Sequence, residues 1–217
     1  MSFYIFPNAV PKEVCKEYLN YCLMNAEFGD AGLVAEGRPA VLSETEMKEI
    51  SEKGTINGET PPMGLDYKIR KTDISFIQGK DNLMNEICWS FIRVANEKCF
   101  KYKLDHFQPI QFARYQNGGH YGWHQDDTLI DHNSDGNEVR KLSLTFNLTD
   151  HSEYDGGLLE FFNGEKEMSK KGRNLSEDIK SVGSAIVFDS SDWHRVTPVT
   201  RGVRYSLVCW TVGPNFV

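Results

Sequence analysis

The chain has 217 residues, 40% hydrophobic and 25% charged, which is the balance of a globular protein long enough for one well-buried domain. A formal net charge of −7 argues against a broad basic footprint for nucleic acid and against an anionic membrane surface, though a local basic groove is compatible with it. No apolar run is long enough to span a bilayer. The start, MSFYIFPNAVPKEV, lacks the basic residues and long apolar stretch of a secretory signal, so the expected compartment is a reducing cytoplasm.

Residues 11–26, PKEVCKEYLNYCLMNA, predict a helix. Val14, Leu19, Cys22 and Leu23 recur at helical intervals, and Pro11 suits a first turn. A short helix is expected over 43–53, where Ser43 and Glu46 have capping-box spacing and Gly54 follows as a stop. Residues 54–66 read as loop. A third helix is predicted over 81–98 from the stripe Leu83, Ile87, Phe91 and Val94. The five cysteines, at 15, 22, 88, 99 and 209, include no C-x-x-C pair and fit neither a disulfide framework nor a structural zinc site. Cys15 and Cys22, seven apart, read as small core residues.

From about residue 109 the texture changes to short strands, predicted at 109–116, 120–126, 140–149, 157–162, 183–189, 194–198 and 203–212. In RKLSLTFNLT, Leu142, Leu144, Phe146 and Leu148 alternate with Ser143, Thr145 and Asn147, so one face is core and the other suits the wall of a pocket. The fold class is α+β, mainly β: a β-sandwich or jelly roll over 107–217, buttressed by a helical region over 1–106, in a single domain 1–217. Residues 127–138 and 164–181 are polar and charged, and could be loops that close over a site.

The segment YGWHQDD raises the question of chemistry. Alternation along a strand puts His124 and Asp126 on one face, which is half of a metal site or an ordinary hydrogen-bonded pair. Among the other histidines, His194 follows the apolar strand SAIVF and leads into another, at a strand edge where a rigid ligand belongs. His124, Asp126 and His194 together offer two imidazoles and a carboxylate, the set expected for non-haem Fe(II). Arg204, ten residues after His194, shares a face of the last strand with Ser206 by parity. A buried guanidinium needs an anionic partner, and its fork suits the distal acid of a dicarboxylate whose other end chelates the metal. Tyr115 could add a phenolic hydroxyl to that carboxylate.

Several residues carry blander readings. Ser206 is either a hydrogen-bond partner of the cosubstrate or a plain strand residue. Trp123 reads as packing beside the metal strand or as the floor of a substrate groove. Gly156 and Gly157 suit a turn or bulge. Arg195 and Arg201 read as solvated charges, His120, His132 and His151 as surface histidines, and EKEMSKKGR around Lys170 as a solvated loop.

With RYQNGGHYGWHQD, RKLSLTFNLTD, YDGGLLEF, GSAIVFDSSDWHRVTPVTRGVRYSLVCW and the terminal GPNF taken together, the sequence resembles the Fe(II)- and 2-oxoglutarate-dependent oxygenases, in their prolyl-4-hydroxylase-like (PKHD-type) branch. The resemblance covers roughly residues 107–217. It implies a double-stranded β-helix, iron ligands His124, Asp126 and His194, and cosubstrate contacts from Arg204 and Tyr115. Many relatives have lysine where Arg204 stands. Asn147 stands where some place a tyrosine on the cosubstrate, so Asn147 is a further candidate. The implied cofactors are Fe(II), 2-oxoglutarate and O2, with ascorbate as a reductant. The implied reaction hydroxylates a C–H bond and releases succinate and CO2. A peptidyl proline ranks first as substrate and a small molecule second. A nucleic-acid dealkylase ranks lower, because the chain is acidic and its arginine follows His194 closely; a non-catalytic metal-binding jelly roll ranks last. Nothing in the sequence sets an oligomeric state.

Overall fold

A computed structural model describes residues 3–30, 70–77, 83–127, 138–161 and 179–214, apart from the side chains of Asp30 and Trp123. In chain order its elements are β1 (Phe3–Phe6), α1 (Lys12–Asn25), β2 (Gly29–Asp30), β3 (Arg70–Lys71), β4 (Asp73–Ile77) and α2 (Leu83–Ala95). Then follow β5 (His106–Phe107), β6 (Ile110–Gln116), β7 (His120–His124), β8 (Glu138–Asn147), β9 (Asp155–Gly156) and β10 (Leu159–Phe161). The last are β11 (Ala185–Asp189), β12 (His194–Val196), β13 (Val199–Arg201) and β14 (Val203–Pro214). The expected helix over 43–53, the loop over 54–66, His132, the lysine-rich stretch and most of both expected site loops lie outside the described residues.

Pro11 caps α1 in an extended conformation (φ −56°, ψ 143°), which suits the entry to a first turn. Cys15 and Cys22, two turns apart, are fully buried as expected. In α2 the fully buried stripe is Met84, Cys88, Ile92 and Ala95, one residue on from the predicted one. Leu83 and Val94 are exposed, while Ile87 and Phe91 flank the contact. Small residues at 88 and 95 let the helix axis approach the sheet, and the bulkier row is displaced to the side. A π-helical turn, Asn96–Phe100, ends the helix at Lys101 in the left-handed region (φ 61°).

The major sheet runs β1-β11-β8-β14-β6-β4-β2, with β5 added to β14, and the minor sheet runs β10-β12-β7-β3. Every pairing is antiparallel, and β9 with β13 forms a small separate ribbon. This is a mainly β jelly roll, with both helices on the outer face of the major sheet. That face gives Phe112, Leu142, Leu144, Phe146, Leu207 and Cys209 to a core shared with Cys15, Cys22 and Cys88. The opposite face gives Ala113, Tyr115, Ile186 and Phe188 to a second core against Tyr121, Phe161 and Val196 of the minor sheet. Each fully buried large side chain stabilises by about 1.5–3 kcal/mol.

One expectation needs correction. The first 106 residues contribute β1, β2 and β4 to the major sheet and β3 to the minor one, so that region is not only helical. These strands are short, and their alternation is masked by buried polar residues, Ser75 in β4 and Thr72 between β3 and β4. The polar face of β8 looks into the sandwich, as the wall of a pocket should: Ser143 and Asn147 are 0% and 3% exposed there.

Candidate metal centre

His124 ends β7 and pairs in register with His194, which opens β12. Asp126 lies past the end of β7 rather than on it. Its backbone N–H donates to Ser190 O at 2.8 Å, and Asp127 N–H donates to the same carbonyl at 3.1 Å. This clamp, not strand parity, brings the carboxylate back to the imidazoles. His124 Nε2 is 3.6 Å from Asp126 Oδ1, and His194 Nε2 is 3.6 Å from Asp126 Oδ2. One ligand atom from each residue lies within 4.8 Å of the others, close enough for one ion to be shared.

The hydrogen bonds around the cluster assign the ring nitrogens. His124 Nδ1 is 2.8 Å from Gly122 O, and His194 Nδ1 is 2.8 Å from Asp192 O. A carbonyl only accepts, so both Nδ1 atoms carry hydrogen and both Nε2 lone pairs are free to ligate. Burial, reinforced by His194, pushes His124 down to about 3, so its ring is neutral. Burial alone would raise the Asp126 carboxyl; the two imidazoles and the Ser143 hydroxyl outweigh it and hold the group below its ordinary range. Ser143 Oγ donates to Asp126 Oδ2 at 2.7 Å and lies 2.9 Å from Ser190 Oγ. The Trp210 indole N–H, buried without a hydrogen-bond partner, also lowers the carboxyl from nearby. Aromatic rings wall the cluster: Tyr121 stacks on His124 at 3.5 Å, and Phe188 meets His194 edge-on at 4.7 Å. The donor set, its protonation and its partial enclosure fit a divalent iron with open positions.

Arg204 pairs with Tyr115 across β14 and β6, and Ser206 pairs with Asn147 across β14 and β8. The guanidinium is 4% exposed, lies 5.4 Å from the Tyr115 ring centre and reaches Ser206 Oγ at 3.3 Å. It meets no carboxylate among the described residues. With Asn147, Thr145, Tyr154, Gly157 and Lys180 it lines a cleft that opens to solvent. The Asn147 amide is turned away from Arg204's task. Its Nδ2 donates to Thr149 O at 2.9 Å and to Lys180 O at 2.6 Å, leaving buried Oδ1 unpartnered.

Gly156 (φ 76°) and Gly157 (φ 60°) adopt left-handed backbone beside a register irregularity, as a turn or bulge requires. A Cβ on Gly157 would lie 2.9 Å from Arg204 Cδ, so this glycine makes room for the guanidinium. Arg195 and Arg201 are not lone solvated charges; they pair with Glu160 and Asp155, each at 2.6 Å. His151 is exposed as expected, and His120 is only half-buried. Sequence reasoning missed Arg70, Tyr121, Arg140 and Ser143. Ser143 had a signal, its place on the polar face of KLSLTFN. Arg140 had none: Lys141 is an extra residue in β8 opposite β14, and this bulge sends Arg140 to the face of Trp210.

Comparison with known proteins agrees with this geometry. Residues 110–212 match the model of the 2OG-Fe(II) oxygenase superfamily. A PKHD-type hydroxylase of Nitrobacter winogradskyi is 35% identical over 105 residues, covering 48% of this chain and 42% of that protein. The matched stretch therefore spans less than half the length of that curated relative. The crystal structure of a Pseudomonas putida prolyl-4-hydroxylase shares the fold with TM-score 0.60 at 21% identity, over 96% of this chain and 91% of that one. A prolyl hydroxylase from Trichoplax adhaerens, solved with a peptide fragment of the hypoxia inducible factor oxygen degradation domain, also has TM-score 0.60, at 17% identity over 96% and 82%. The part of the chain that carries the His–Asp–His cluster and Arg204 is thus the part, residues 110–212, that matches the 2OG-Fe(II) oxygenase superfamily.

Proposed function

We propose that the chain, as a single domain, is an Fe(II)- and 2-oxoglutarate-dependent dioxygenase that hydroxylates a C–H bond, with a prolyl residue of a peptide or protein as its substrate. The observation that carries this reading is the pairing of two features inside one sandwich: three converging ligand atoms with free lone pairs, and a buried arginine that meets no acid among the described residues. His124, Asp126 and His194 would hold the iron. Arg204, steadied by Ser206 and backed by Tyr115, would hold the distal carboxylate of 2-oxoglutarate through a charge-assisted fork. Iron and 2-oxoglutarate together supply O2 activation and oxidation of the C–H bond, with succinate and CO2 released. The rest is done by the chain. Ser143 and Ser190 keep Asp126 aimed, and the carbonyls of Gly122 and Asp192 fix the imidazole tautomers. Tyr121, Phe161 and Phe188 exclude water from the ligands. The proline assignment is supported by the names of the structural neighbours and by the shared fold.

The test is anaerobic reconstitution with Fe(II), addition of 2-oxoglutarate and observation of its visible charge-transfer band, then admission of O2 and assay of succinate. The reading expects the band, followed by slow succinate release that proline peptides accelerate. His194→Ala should retain less than roughly a tenth of the bound iron and give neither signal, since removing one ligand of three exposes the ion. Bound iron with no band on adding 2-oxoglutarate would sink the oxygenase assignment.

A further inference from the structure

Two guanidiniums stand beside the metal cluster without an acid. Arg70, on β3, lies over the outer face of the stack, its Cζ 4.3 Å from the Tyr121 ring that in turn covers His124. Its Nε is buried with no hydrogen-bond partner, and its Nη2 reaches only Gln111 Oε1, at 3.5 Å. Arg140, delivered by the β8 bulge, lies over Trp210 at 4.0 Å; its Nε donates to Gln108 Oε1 at 2.8 Å, and its Nη1 is 3.5 Å from Asp126 O. The two are near enough for Arg70 to act on Arg140 as a like charge, and Asp126 is the one carboxylate that draws on Arg140. Asp73, at the start of the next strand, is committed to Arg114 at 2.9 Å. Lys71, next to Arg70, turns to Asn117 O. Among the described residues neither Arg70 nor Arg140 forms an ion pair.

The charge balance of the proposed centre shows what these two are for. The two positive charges of iron and the one on Arg204 are matched by Asp126 and the two carboxylates of 2-oxoglutarate. Among the described residues Arg70 and Arg140 are left over, partly desolvated and of like charge, an arrangement that costs free energy until an anion joins them. We propose that Arg70 and Arg140 form a receptor for a carboxylate of the primary substrate, so that the molecule oxidised at this centre is an anion. This rests on the oxygenase reading. Two planar forks, each held over an aromatic ring, suit bidentate capture of a carboxylate. That carboxylate belongs either to a free amino or imino acid, or to an acidic residue next to the target residue of a peptide.

The experiment is thermal unfolding of the full chain, loaded anaerobically with Fe(II) and saturating 2-oxoglutarate, titrated with sodium acetate against sodium chloride at matched ionic strength. Acetate should raise Tm saturably above chloride, and its apparent affinity should fall at least tenfold in Arg70→Gln and in Arg140→Gln. Arg70→Lys and Arg140→Lys, which keep the charge but not the fork, should fall between and show that the loss is not misfolding. Equal effects of acetate and chloride on the wild type would overturn the proposal. So would an acetate effect that survives in both glutamine variants, since acetate would then sit elsewhere. A parallel fall in 2-oxoglutarate affinity in those variants would assign the pair to the cosubstrate and also overturn it. L-proline against L-prolinamide, and acetyl-Glu-Pro-amide against acetyl-Gln-Pro-amide, then separate the sources. Preference for the acid in the first pair marks a free acid, in the second a peptide, and in neither refutes the receptor. If 2-oxoglutarate itself leaves the wild-type Tm unchanged, the oxygenase reading fails, and the acetate response of the Fe(II) protein still decides the receptor.

Discussion

Replacing Arg204 by methionine should move stability and cosubstrate binding in opposite directions. The guanidinium is 4% exposed and has only a 3.3 Å contact with Ser206 Oγ and a ring 5.4 Å away to offset its desolvation. Those contacts are worth about 1 kcal/mol and about 1–2 kcal/mol, against an effective desolvation cost of several kcal/mol. A methionine of similar reach should therefore stabilise the protein without 2-oxoglutarate by about 1–4 kcal/mol. For a chain of this length each kcal/mol raises Tm by roughly 2–4 °C. With 2-oxoglutarate the sign reverses. Losing a bidentate charged contact of about 3 kcal/mol weakens the ligand roughly a hundredfold. At a concentration one hundred times the wild-type Kd, the ligand's stabilisation falls from about 2.7 kcal/mol to about 0.4 kcal/mol. The assay is anaerobic thermal unfolding of both proteins with Fe(II), with and without 2-oxoglutarate. A variant less stable than wild type alone, yet raised as much by 2-oxoglutarate, would refute the assignment of Arg204 as an acid-seeking cation.

Two further predictions test the surroundings. In iron-free protein His124 is pushed down to about 3, below its unfolded value near 6.5, so the unfolded chain takes up a proton that the fold refuses. The stability this contributes is complete above about pH 6.5 and lost as pH falls toward 3. Urea unfolding across that window should show a shallower decline for His124→Gln than for wild type; parallel curves would mean that burial of the neutral ring is not the cause. Gly157→Ala forces a Cβ to within 2.9 Å of both Arg204 Cδ and Val199 Cγ2 at a φ of 60°. It should lose about 1–3 kcal/mol and bind 2-oxoglutarate more weakly. Lower urea stability with undiminished 2-oxoglutarate affinity would restrict Gly157 to a backbone role.

The sandwich was legible where strands alternate cleanly. KLSLTFN has a hydrophobic row for the helices and a polar row for the site, and the structure uses them in that way. His194 could be placed because an apolar strand precedes it. Asp126 was found for a partly mistaken reason: parity predicted its face, but the residue lies beyond β7 and is returned by the Ser190 carbonyl. Arg140 was invisible because a bulge reverses the alternation on which such reading depends. Arg70 lay in a region read as helix and loop, and only the closing of β3 onto β7 brings it to the site. Asn147 shows the limit of position alone. Its place on the polar face suited a cosubstrate contact, while its amide hydrogens are taken by two carbonyls, leaving an acceptor that cannot bond a carboxylate.

The strand on which folding and chemistry both depend is β14. Leu207 and Cys209 face the helices, while Arg204, Ser206 and Trp210 face the site. A slip of one residue would exchange these rows, burying a guanidinium against α2 and turning apolar side chains toward the metal. Three partners oppose that slip: β8 along nearly the whole strand, β6 along its first half and β5 near its end. The bulge at Lys141 adds a lock, because it can be accommodated opposite only one step of β14, between Thr211 and Val212. The same extra residue that aims Arg140 at the metal cluster therefore pins the register that aims Arg204 into its cleft. Deleting Lys141 should accordingly disturb both ends of the site together.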